Sequence, residues 1–173
     1  MIATERLILR APEPRDRDAL HAMWADPRVM ESLGPVKSAA DSDATLARHA
    51  AYAPLGFRTV ERRDTGEVAG FCGLKPGAPN TPIVGMLEIG WMLAVPHWGQ
   101  GFAREAAAAS LAWGWANRDE AEVVAITAAR NGKSRALMER LNMVYAPDMD
   151  FLHPLFAPDD PLADTVVYRI ARP

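Results

Sequence analysis

One stretch, Met86–Asn117, combines a long apolar segment, a glycine turn and an alanine-rich segment. Met86–Val95 is almost continuously apolar and is followed by a proline, a pattern that predicts a strand buried on both faces. Gly99-Gln100-Gly101 comes next, and a helix is predicted to begin near Phe102 with an acidic residue, Glu105, in its first turn. The chain is therefore expected to form a strand, a tight turn and a helix in direct succession.

A glycine turn at the start of a helix is a potential anion site. Glycine lets the backbone approach a ligand closely, and the first N–H groups of a helix have no partner within it. A Walker loop is excluded because Phe102-Ala103 follows the turn, where Lys-Ser/Thr would be required. A dinucleotide fingerprint is disfavoured, since the next predicted strand, Glu122–Ala128, ends in Ala129-Arg130 and not in an acidic residue.

The turn resembles the cofactor motif of the GNAT superfamily of N-acetyltransferases, Gln/Arg-x-x-Gly-x-Gly/Ala, aligned on Trp98–Ala103. The two small residues match, whereas Trp98 stands where the family often has Gln or Arg. Thr4–Arg10 (TERLILR) and Asn131–Ser134 (NGKS) are similar to the RimJ/RimL-like branch, which acetylates N-terminal amines of proteins and other small amines. Three motifs in this order, spread over nearly the whole chain, make the resemblance specific.

The predicted elements form a single α/β domain over residues 1–173, with a mixed sheet and helices on both faces. Strands are predicted at Leu7–Leu9, Phe57–Arg63, Glu67–Leu74, Met86–Val95, Val123–Thr127, Met143–Tyr145 and Thr165–Ile170. Helices are predicted at Pro14–Ala25, after Asp26, from Ser38 or Asp41 to Ala53, from Phe102 and at Gly132–Leu141, with a loop over Ala146–Ala163. The GNAT resemblance implies a mostly antiparallel sheet whose central strand pair splays apart.

Composition narrows the class of partner. Apolar residues make up 49% and charged residues 24%, as in ordinary globular proteins, and a net charge of −3 argues against a nucleic-acid binder. No run of eighteen apolar residues predicts a membrane span. The single cysteine, Cys72, fits a reducing cytoplasm, and the histidines lack metal-ligand spacing. We expect a cytoplasmic monomer or homodimer that contacts no membrane and needs no metal.

The resemblance implies acetyl-CoA as co-substrate and assigns residues to it. The diphosphate would rest on the turn and the helix start, and the pantetheine arm would lie beside the preceding strand. Either of two strand N–H groups, that of Met92 or that of Leu93, would polarise the thioester carbonyl. The cofactor-binding candidates are Met92, Leu93, Val95, Trp98, Gly99, Gln100, Gly101, Ala103, Arg104, Asn131 and Ser134.

Two residues are catalytic candidates. Glu88 is the one charge in the apolar segment; it either lies in water or pairs with an arginine, or, as the resemblance implies, acts as a general base through water. Many GNAT enzymes use a tyrosine as the acid, but counting from Asn131 that position is Met138. Ser134 is the predicted substitute, and the alternative is a hydroxyl that bonds the helix backbone.

The basicity of the acceptor favours an N-terminal amine. A protein α-amine has a pKa of about 7.8 and a lysine about 10.4, so at pH 7 about one α-amine in seven is neutral, against roughly one lysine in 2,500. With Glu88 as the only base candidate, the more acidic amine is the better guess. Acetylation of a small amine (an amino acid, polyamine or drug) and a non-catalytic acyl-CoA-binding domain remain alternatives.

The acceptor pocket is the least constrained part of the site. Trp24, Met30 and Tyr52 lie on predicted N-terminal helices, where they either fill the core or, as the resemblance implies, line the acceptor pocket. Trp91 and His153 are the other pocket candidates. The aspartates of the predicted Ala146–Ala163 loop are either solvated or attract a cationic acceptor.

Overall fold

A nine-stranded sheet organises the chain, which the computed structural model describes from Met1 to Pro173. The strands are β1 (Ile2–Ala3), β2 (Leu7–Arg10), β3 (Gly56–Arg62), β4 (Val68–Pro76), β5 (Leu87–Leu93), β6 (Glu122–Ala128), β7 (Val144–Tyr145), β8 (Phe151–Leu152) and β9 (Asp164–Ala171). The helices are α1 (Arg17–Ala25), α2 (Pro27–Met30), α3 (Ala39–Ala50), α4 (Phe102–Asn117) and α5 (Gly132–Arg140). Short 3-10 turns occupy Pro14–Asp16, Val95–His97 and Pro147–Met149.

The strand order is β1-β2-β3-β4-β5-β6-β9-β7, with β8 added to β9. Neighbouring strands are antiparallel except β5 and β6, which are parallel. A crossover helix is needed to join parallel neighbours, and α4 serves as that connection. The prediction of a mixed, mostly antiparallel sheet is confirmed.

Helices cover both faces of the sheet, as predicted. The larger core lies between the sheet and helices α4 and α5, where residues such as Leu9, Ile89 and Met138 are buried. The smaller core joins α1 and α2 to the opposite face, where Trp24 meets Phe71 edge-on with ring centroids 5.4 Å apart. Each face therefore has its own set of apolar contacts, and the strands between the two sets are almost wholly buried.

Several element boundaries differ from the sequence predictions. The predicted strand Met86–Val95 is shorter, Leu87–Leu93, because a 3-10 turn with a proline inside it takes over at Val95–His97. The first helix begins as a 3-10 turn and becomes α-helical at Arg17, and the third ends at Ala50 instead of Ala53. Strands β1 and β8 were not predicted; each has two residues, too few for a periodic signal.

The central strands β5 and β6 pair over two residues only. Leu87 faces Val123 and Glu88 faces Val124, and no pairing follows. Strand β5 continues along β4 as far as Leu93, whereas β6 stays with β9 to its end. The two strands therefore separate after Glu88 and leave a gap, so the predicted splayed pair is confirmed.

A buried ion pair fixes the turn between β2 and α1. The guanidinium of Arg10 binds the Asp16 carboxylate through two hydrogen bonds of 2.7 and 2.8 Å, and Asp16 is 1% exposed. Thr59 Oγ1 and the N–H of Glu13 also donate to that carboxylate. Burial by itself pushes the pKa of Asp16 upward, but these donors outweigh it and hold the pKa below its ordinary value.

Replacing Asp16 by Asn should destabilise the protein by about 1.5–3 kcal/mol, because the Arg10 guanidinium would lose the charged partner that holds it through two hydrogen bonds and would keep its pairing with Glu61. Urea denaturation at pH 7 measures the loss. The matched control is Asp18→Asn, whose side chain is 100% exposed, and the midpoint should not move. Since the folded pKa of Asp16 lies below its unfolded value, the stabilisation is present above about pH 4 and is lost as the pH falls. Equal stability of the Asp16→Asn variant at pH 7 would contradict this account.

Candidate active site

Two glycines shape the loop between β5 and α4. Gly99 and Gly101 have φ angles of +73° and +81°, in the left-handed region that disfavours other residues. Gly101 is the N-cap of α4, and no side chain caps the helix there. The α4 N-terminus therefore stays open.

Six consecutive amides of this loop point away from the rest of the protein. None of the N–H groups from residue 99 to residue 104 donates a hydrogen bond within the protein. The carbonyl side is different: Arg6 Nη1 donates to Gln100 O (2.9 Å), and Gln100 Nε2 donates to Pro96 O (2.9 Å). A row of free N–H groups at a helix start, in the positive end of its dipole, is the arrangement that binds phosphate.

The N-terminal motif holds this loop in place. Thr4 Oγ1 and the backbone N–H of Arg6 donate to Glu105 Oε1 at 2.6 and 2.9 Å, and Arg6 Nε donates to Glu105 Oε2 at 2.7 Å. The Arg6 guanidinium also lies over the Phe102 ring, 4.7 Å from its centroid. Thr4 and Arg6 thus fix the first turn of α4, which gives the TERLILR motif a structural role at the loop.

Free cations flank the loop. Arg104 is exposed in the first turn of α4 and forms no ion pair. Lys133, in the first turn of α5, lies 4.6 Å from the centroid of the Trp98 ring. The Trp98 indole N–H donates to Leu93 O (2.8 Å), so this side chain ties the loop to the end of β5. Trp98 thereby acts on the protein backbone, whereas the sequence motif assigned its position to the diphosphate.

The register of β4 and β5 decides which strand amides face the gap. Ala94 N–H donates to Ala69 O (3.0 Å), and the pairing is regular along the two strands. Because alternate residues of an antiparallel strand direct their N–H groups to opposite sides, the amide of Met92 faces β4. The amides of Trp91 and Leu93 face the gap. Of the two sequence candidates for the thioester contact, only Leu93 has its N–H on the open side.

The start of α5 borders the other side of the gap. Asn131 caps this helix by accepting from Ser134 N–H (3.2 Å), and its Nδ2 donates to Thr127 Oγ1 (2.9 Å) and to Ser134 Oγ (3.2 Å). The Ser134 hydroxyl accepts one hydrogen bond and donates none within the protein. Met138, one turn further on, is 1% exposed in the core. The hydroxyl protons of Ser134 and of Thr127, which likewise only accepts from Asn131, are therefore both free near the start of α5.

Glu88 lies where the strands separate, and it is 6% exposed. Its carboxylate forms an ion pair with Lys75, the residue directly opposite on β4. Burial raises the pKa of Glu88 above its usual range, and Lys75 offsets part of this rise. Sequence reasoning had named water or an arginine as the partner; it missed Lys75 because the register of the β4–β5 hairpin was unknown.

The acceptor candidates divide between core and surface. Trp24 is 0% exposed and its Nε1 lies 3.4 Å from Met92 Sδ, and Met30 is 5% exposed, so both are core residues and do not line an open pocket. Trp91 packs against the core under α4, on the opposite face from Glu88. Tyr52 is half-buried and meets His49 edge-on at 5.9 Å. Tyr52 keeps its place as a pocket candidate, and Trp91 lies on the other face.

Two histidines, His49 and His153, lie near Lys75. His153 lies between Phe151 and Phe156, and burial and then Lys75 lower its pKa. His49, which the sequence did not single out, accepts a hydrogen bond from Phe57 N–H at Nδ1 (3.0 Å). Burial, followed by nearby cations including Lys75, lowers the pKa of His49 to about 3. Both rings are therefore neutral at pH 7, and no signal in the sequence pointed to His49.

Two aspartates of the long loop already accept hydrogen bonds within the protein. Asp150 accepts hydrogen bonds from the Tyr145 hydroxyl and from Val167 N–H, and Asp160 accepts from Leu162 N–H. The expectation that the loop aspartates attract a cationic acceptor stays a prediction.

Residues 6–144 match the family described as acetyltransferase (GNAT) domain. The chain belongs to the GNAT acetyltransferase family. It is 31% identical over 149 residues to the protein YkkB of Bacillus subtilis, covering 84% of this chain and 86% of YkkB. It is 33% identical over 129 residues to the N-acetyltransferase p20 of Bacillus licheniformis, covering 69% and 71%. The GNAT resemblance read from the sequence is confirmed at the level of the family.

Solved GNAT structures share the fold over nearly the whole chain. An acetyltransferase from Agrobacterium tumefaciens has a TM-score of 0.79 at 28% identity, covering 98% of this chain and 92% of that one. Spermidine N-acetyltransferase from Vibrio cholerae, solved with CoA and spermine, has a TM-score of 0.76 at 20% identity over 98% and 97%. RimL, an α-N-acetyltransferase of ribosomal L7/L12 solved with CoA, has a TM-score of 0.78 at 17% identity over 97% and 95%.

The helices of this GNAT domain are all too short or too polar to cross a membrane.

Removing Lys75 should raise the pKa of Glu88 by about 1–3, because an adjacent cation stabilises the carboxylate by this amount. A carbon-detected NMR titration of the glutamate carboxyls measures it in the wild type and in Lys75→Met, with Glu88→Gln identifying the resonance. The control is Lys133→Met, which removes a lysine on the other side of the gap. A Glu88 resonance that titrates identically with and without Lys75 would rule out the ion pair.

Proposed function

We propose that this GNAT domain transfers the acetyl group of acetyl-CoA to a primary amine by direct attack in a ternary complex. We further propose that the acceptor is the α-amine of a polypeptide and that the chain belongs to the RimJ/RimL-like branch. The observation that carries the proposal is the row of six free amides at the start of α4, beside the open edge of β5. The first amides of any helix lack an intrahelical partner, and the glycine turn extends this set to six in succession, an arrangement that suits a diphosphate.

The residues around the loop fit coenzyme A. The free amides and the charges of Arg104 and Lys133 would hold the diphosphate. The gap between β5 and β6 would hold the pantetheine arm, because the Trp91 and Leu93 amides are the unsatisfied edge of a strand and can pair with an extended chain. Asn131, whose side chain is engaged with Thr127 and Ser134, would border the arm.

The proposed transfer uses three groups of this chain. The amine nitrogen attacks the thioester carbonyl carbon, and the Leu93 N–H stabilises the negative charge that forms on the carbonyl oxygen. Glu88 takes the proton from the amine through water, and the bond from carbon to sulfur breaks. The Ser134 hydroxyl, which donates to nothing in the protein, gives a proton to the departing thiolate and takes one back from water, while Glu88 releases the amine proton to solvent.

The state of Glu88 favours a weakly basic amine. Its carboxylate is buried and already paired with Lys75, so taking up a proton means giving up that ion pair. An α-amine with a pKa of about 7.8 is partly neutral at pH 7, whereas deprotonating a lysine or polyamine amine with a pKa near 10.4 costs about 3.5 kcal/mol more. Glu88 therefore needs to do less to deprotonate an N-terminal amine than to deprotonate a lysine or a polyamine.

The branch assignment has support of its own within the chain. The TERLILR motif, which carries the resemblance to RimJ/RimL-like proteins, supplies Thr4 and Arg6 to Glu105 in the first turn of α4. The spermidine and ribosomal-protein acetyltransferases among the solved structures are 20% and 17% identical, so they indicate the fold and not the acceptor. The choice of an α-amine therefore depends on the chemistry around Glu88.

Gly101→Ala should raise the Kd for CoA at least about tenfold, because a side chain at φ +81° strains the loop and displaces its amides. Isothermal titration calorimetry measures it. Gly85→Ala is the matched control: Gly85 has φ +83° just before β5, at the end of that strand opposite the loop, and no neighbour within 4 Å of an added Cβ. It introduces similar strain far from the loop and should leave the Kd unchanged. Equal Kd values for the two variants would refute the diphosphate site.

Glu88→Gln and Ser134→Ala should each lower kcat by about 10²-fold or more while CoA still binds, since proton transfer by a positioned group contributes this much. Thiol release with an N-terminal peptide measures turnover, and calorimetry measures binding. Unchanged rates in both variants would remove these two residues from the mechanism. Binding of CoA without turnover of any amine in the wild type would identify a non-catalytic acyl-CoA-binding domain instead.

A further inference from the structure

Two loops meet over the acceptor side of the site and together form what we call the acceptor mouth, residues 33–37 and 152–156. They touch at Gly34, where an added Cβ would lie 3.7 Å from the Phe156 ring. Each loop exposes two aliphatic side chains, and exposed aliphatics that gather in one place mark interaction sites. The exposed fractions are 38% for Leu33, 50% for Val36, 54% for Leu152 and 81% for Leu155.

The acceptor mouth is connected to the Lys75–Glu88 ion pair through His153. Phe156 packs on His153 with centroids 5.6 Å apart, and the charge of Lys75 acts on His153. Lys75 in turn holds Glu88, the proposed base. A ligand bound across the mouth would therefore have one end directed at the place where the amine is acetylated.

The charges on the α3 side of the mouth are positive. Lys37 is half-buried beside the end of α1, with its N–H donating to Trp24 O (3.0 Å), and Arg48 is exposed on α3; neither forms an ion pair. Burial, and then Arg48, Lys75 and Lys37, lower the pKa of His49, so the three cations lie close to this ring. Asp41 is the nearest acid to Lys37, and its carboxylate already accepts hydrogen bonds from Ser38 Oγ and Ser38 N–H.

We propose that the acceptor mouth docks a polypeptide N-terminus that carries an acidic side chain in its first residues followed by an aliphatic one. The acidic group would pair with Lys37 and Arg48, and the aliphatic side chain would cover Leu33, Val36, Leu152 and Leu155. This inference rests on the proposed acetyltransferase activity and specifies its substrate.

Charge complementarity argues against a polyamine in the same place. A polyamine that presents one neutral amine keeps one or more ammonium groups, which need carboxylates near the mouth. Glu88 is paired with Lys75, and the unpaired acids nearest the two loops in sequence, such as Glu31 and Asp159, are exposed to water. Lys37 and Arg48 would repel a second ammonium. An acidic peptide instead brings a carboxylate that can pair with Lys37 and Arg48.

The experiment compares initial rates of thiol release for matched acceptors. Four peptides differ at position 1 or 2 only: Asp-Leu, Ser-Leu, Lys-Leu and Asp-Ser, each followed by the same neutral sequence. Free aspartate tests whether an α-carboxylate alone suffices, and spermidine tests the polyamine alternative. We expect kcat/KM to be highest for the Asp-Leu peptide and about tenfold lower for the Lys-Leu and Asp-Ser peptides.

Two double variants test the two parts of the mouth. Lys37→Gln/Arg48→Gln should reduce kcat/KM for the Asp-Leu peptide about tenfold and leave the Ser-Leu peptide unchanged. Leu33→Ser/Leu155→Ser should remove the preference for Asp-Leu over Asp-Ser, with the KM for acetyl-CoA unaffected. The matched controls are Arg140→Gln, an exposed cation in the last turn of α5, and Val144→Ser, an exposed aliphatic on β7. Both controls should retain the wild-type preferences.

The outcomes separate this inference from the proposed function. Equal rates for all four peptides, or preferences that survive both double variants, would overturn the docking site while the acetyltransferase activity stands. A faster reaction with spermidine or with free aspartate than with the Asp-Leu peptide would overturn it in favour of a small acceptor. Release of thiol with none of these acceptors, although CoA binds, would refute the proposed function itself.

Discussion

The site depends on strand β5 staying with β4 while it leaves β6 after Glu88. A buried amide without a partner costs about 1–3 kcal/mol, so a strand that gives up pairing in mid-sheet carries a penalty that the fold must offset. The alanine-rich helix α4 packs closely under β5 and buries Ile89 and Leu93, which holds the strand in position without a second neighbour. The penalty remains at the Trp91 and Leu93 amides, where a ligand can relieve it.

In the loop after β5, carbonyl groups accept hydrogen bonds from the protein, whereas the amides stay free for a ligand. Its carbonyl oxygens are engaged by Arg6 and Gln100, and its amides are engaged by nothing. The N-terminal motif reaches the loop through Glu105, whose carboxylate gathers donors from Thr4 and Arg6. Residues about a hundred positions away in sequence therefore keep the amides in one orientation. A negative charge within the first turn of α4 also suits the dipole of that helix.

Much of this arrangement could be predicted from local pattern, because its parts are local. The apolar run, the two glycines and the helix start are contiguous, and so are Asn131 and Ser134. The missing parts depend on register or on packing. Two findings depend on the register of β4 and β5: Lys75 faces Glu88, and Leu93, not Met92, turns its amide to the gap. The sequence did not reveal this register, because the path of the loop between the two strands was unknown. The burial of Trp24 and Met30 and the position of His49 depend on how α1–α3 pack on the sheet.

The indole of Trp98 gives the site a property of its own. By donating to Leu93 O, it joins the phosphate loop to the end of β5. The loop and the strand end are therefore held in place before a ligand binds. Binding to such a surface loses less conformational entropy, because the loop has already given up its freedom in the folded chain. In this protein an aromatic side chain, attached to the backbone and not to the ligand, holds the phosphate loop against the end of β5.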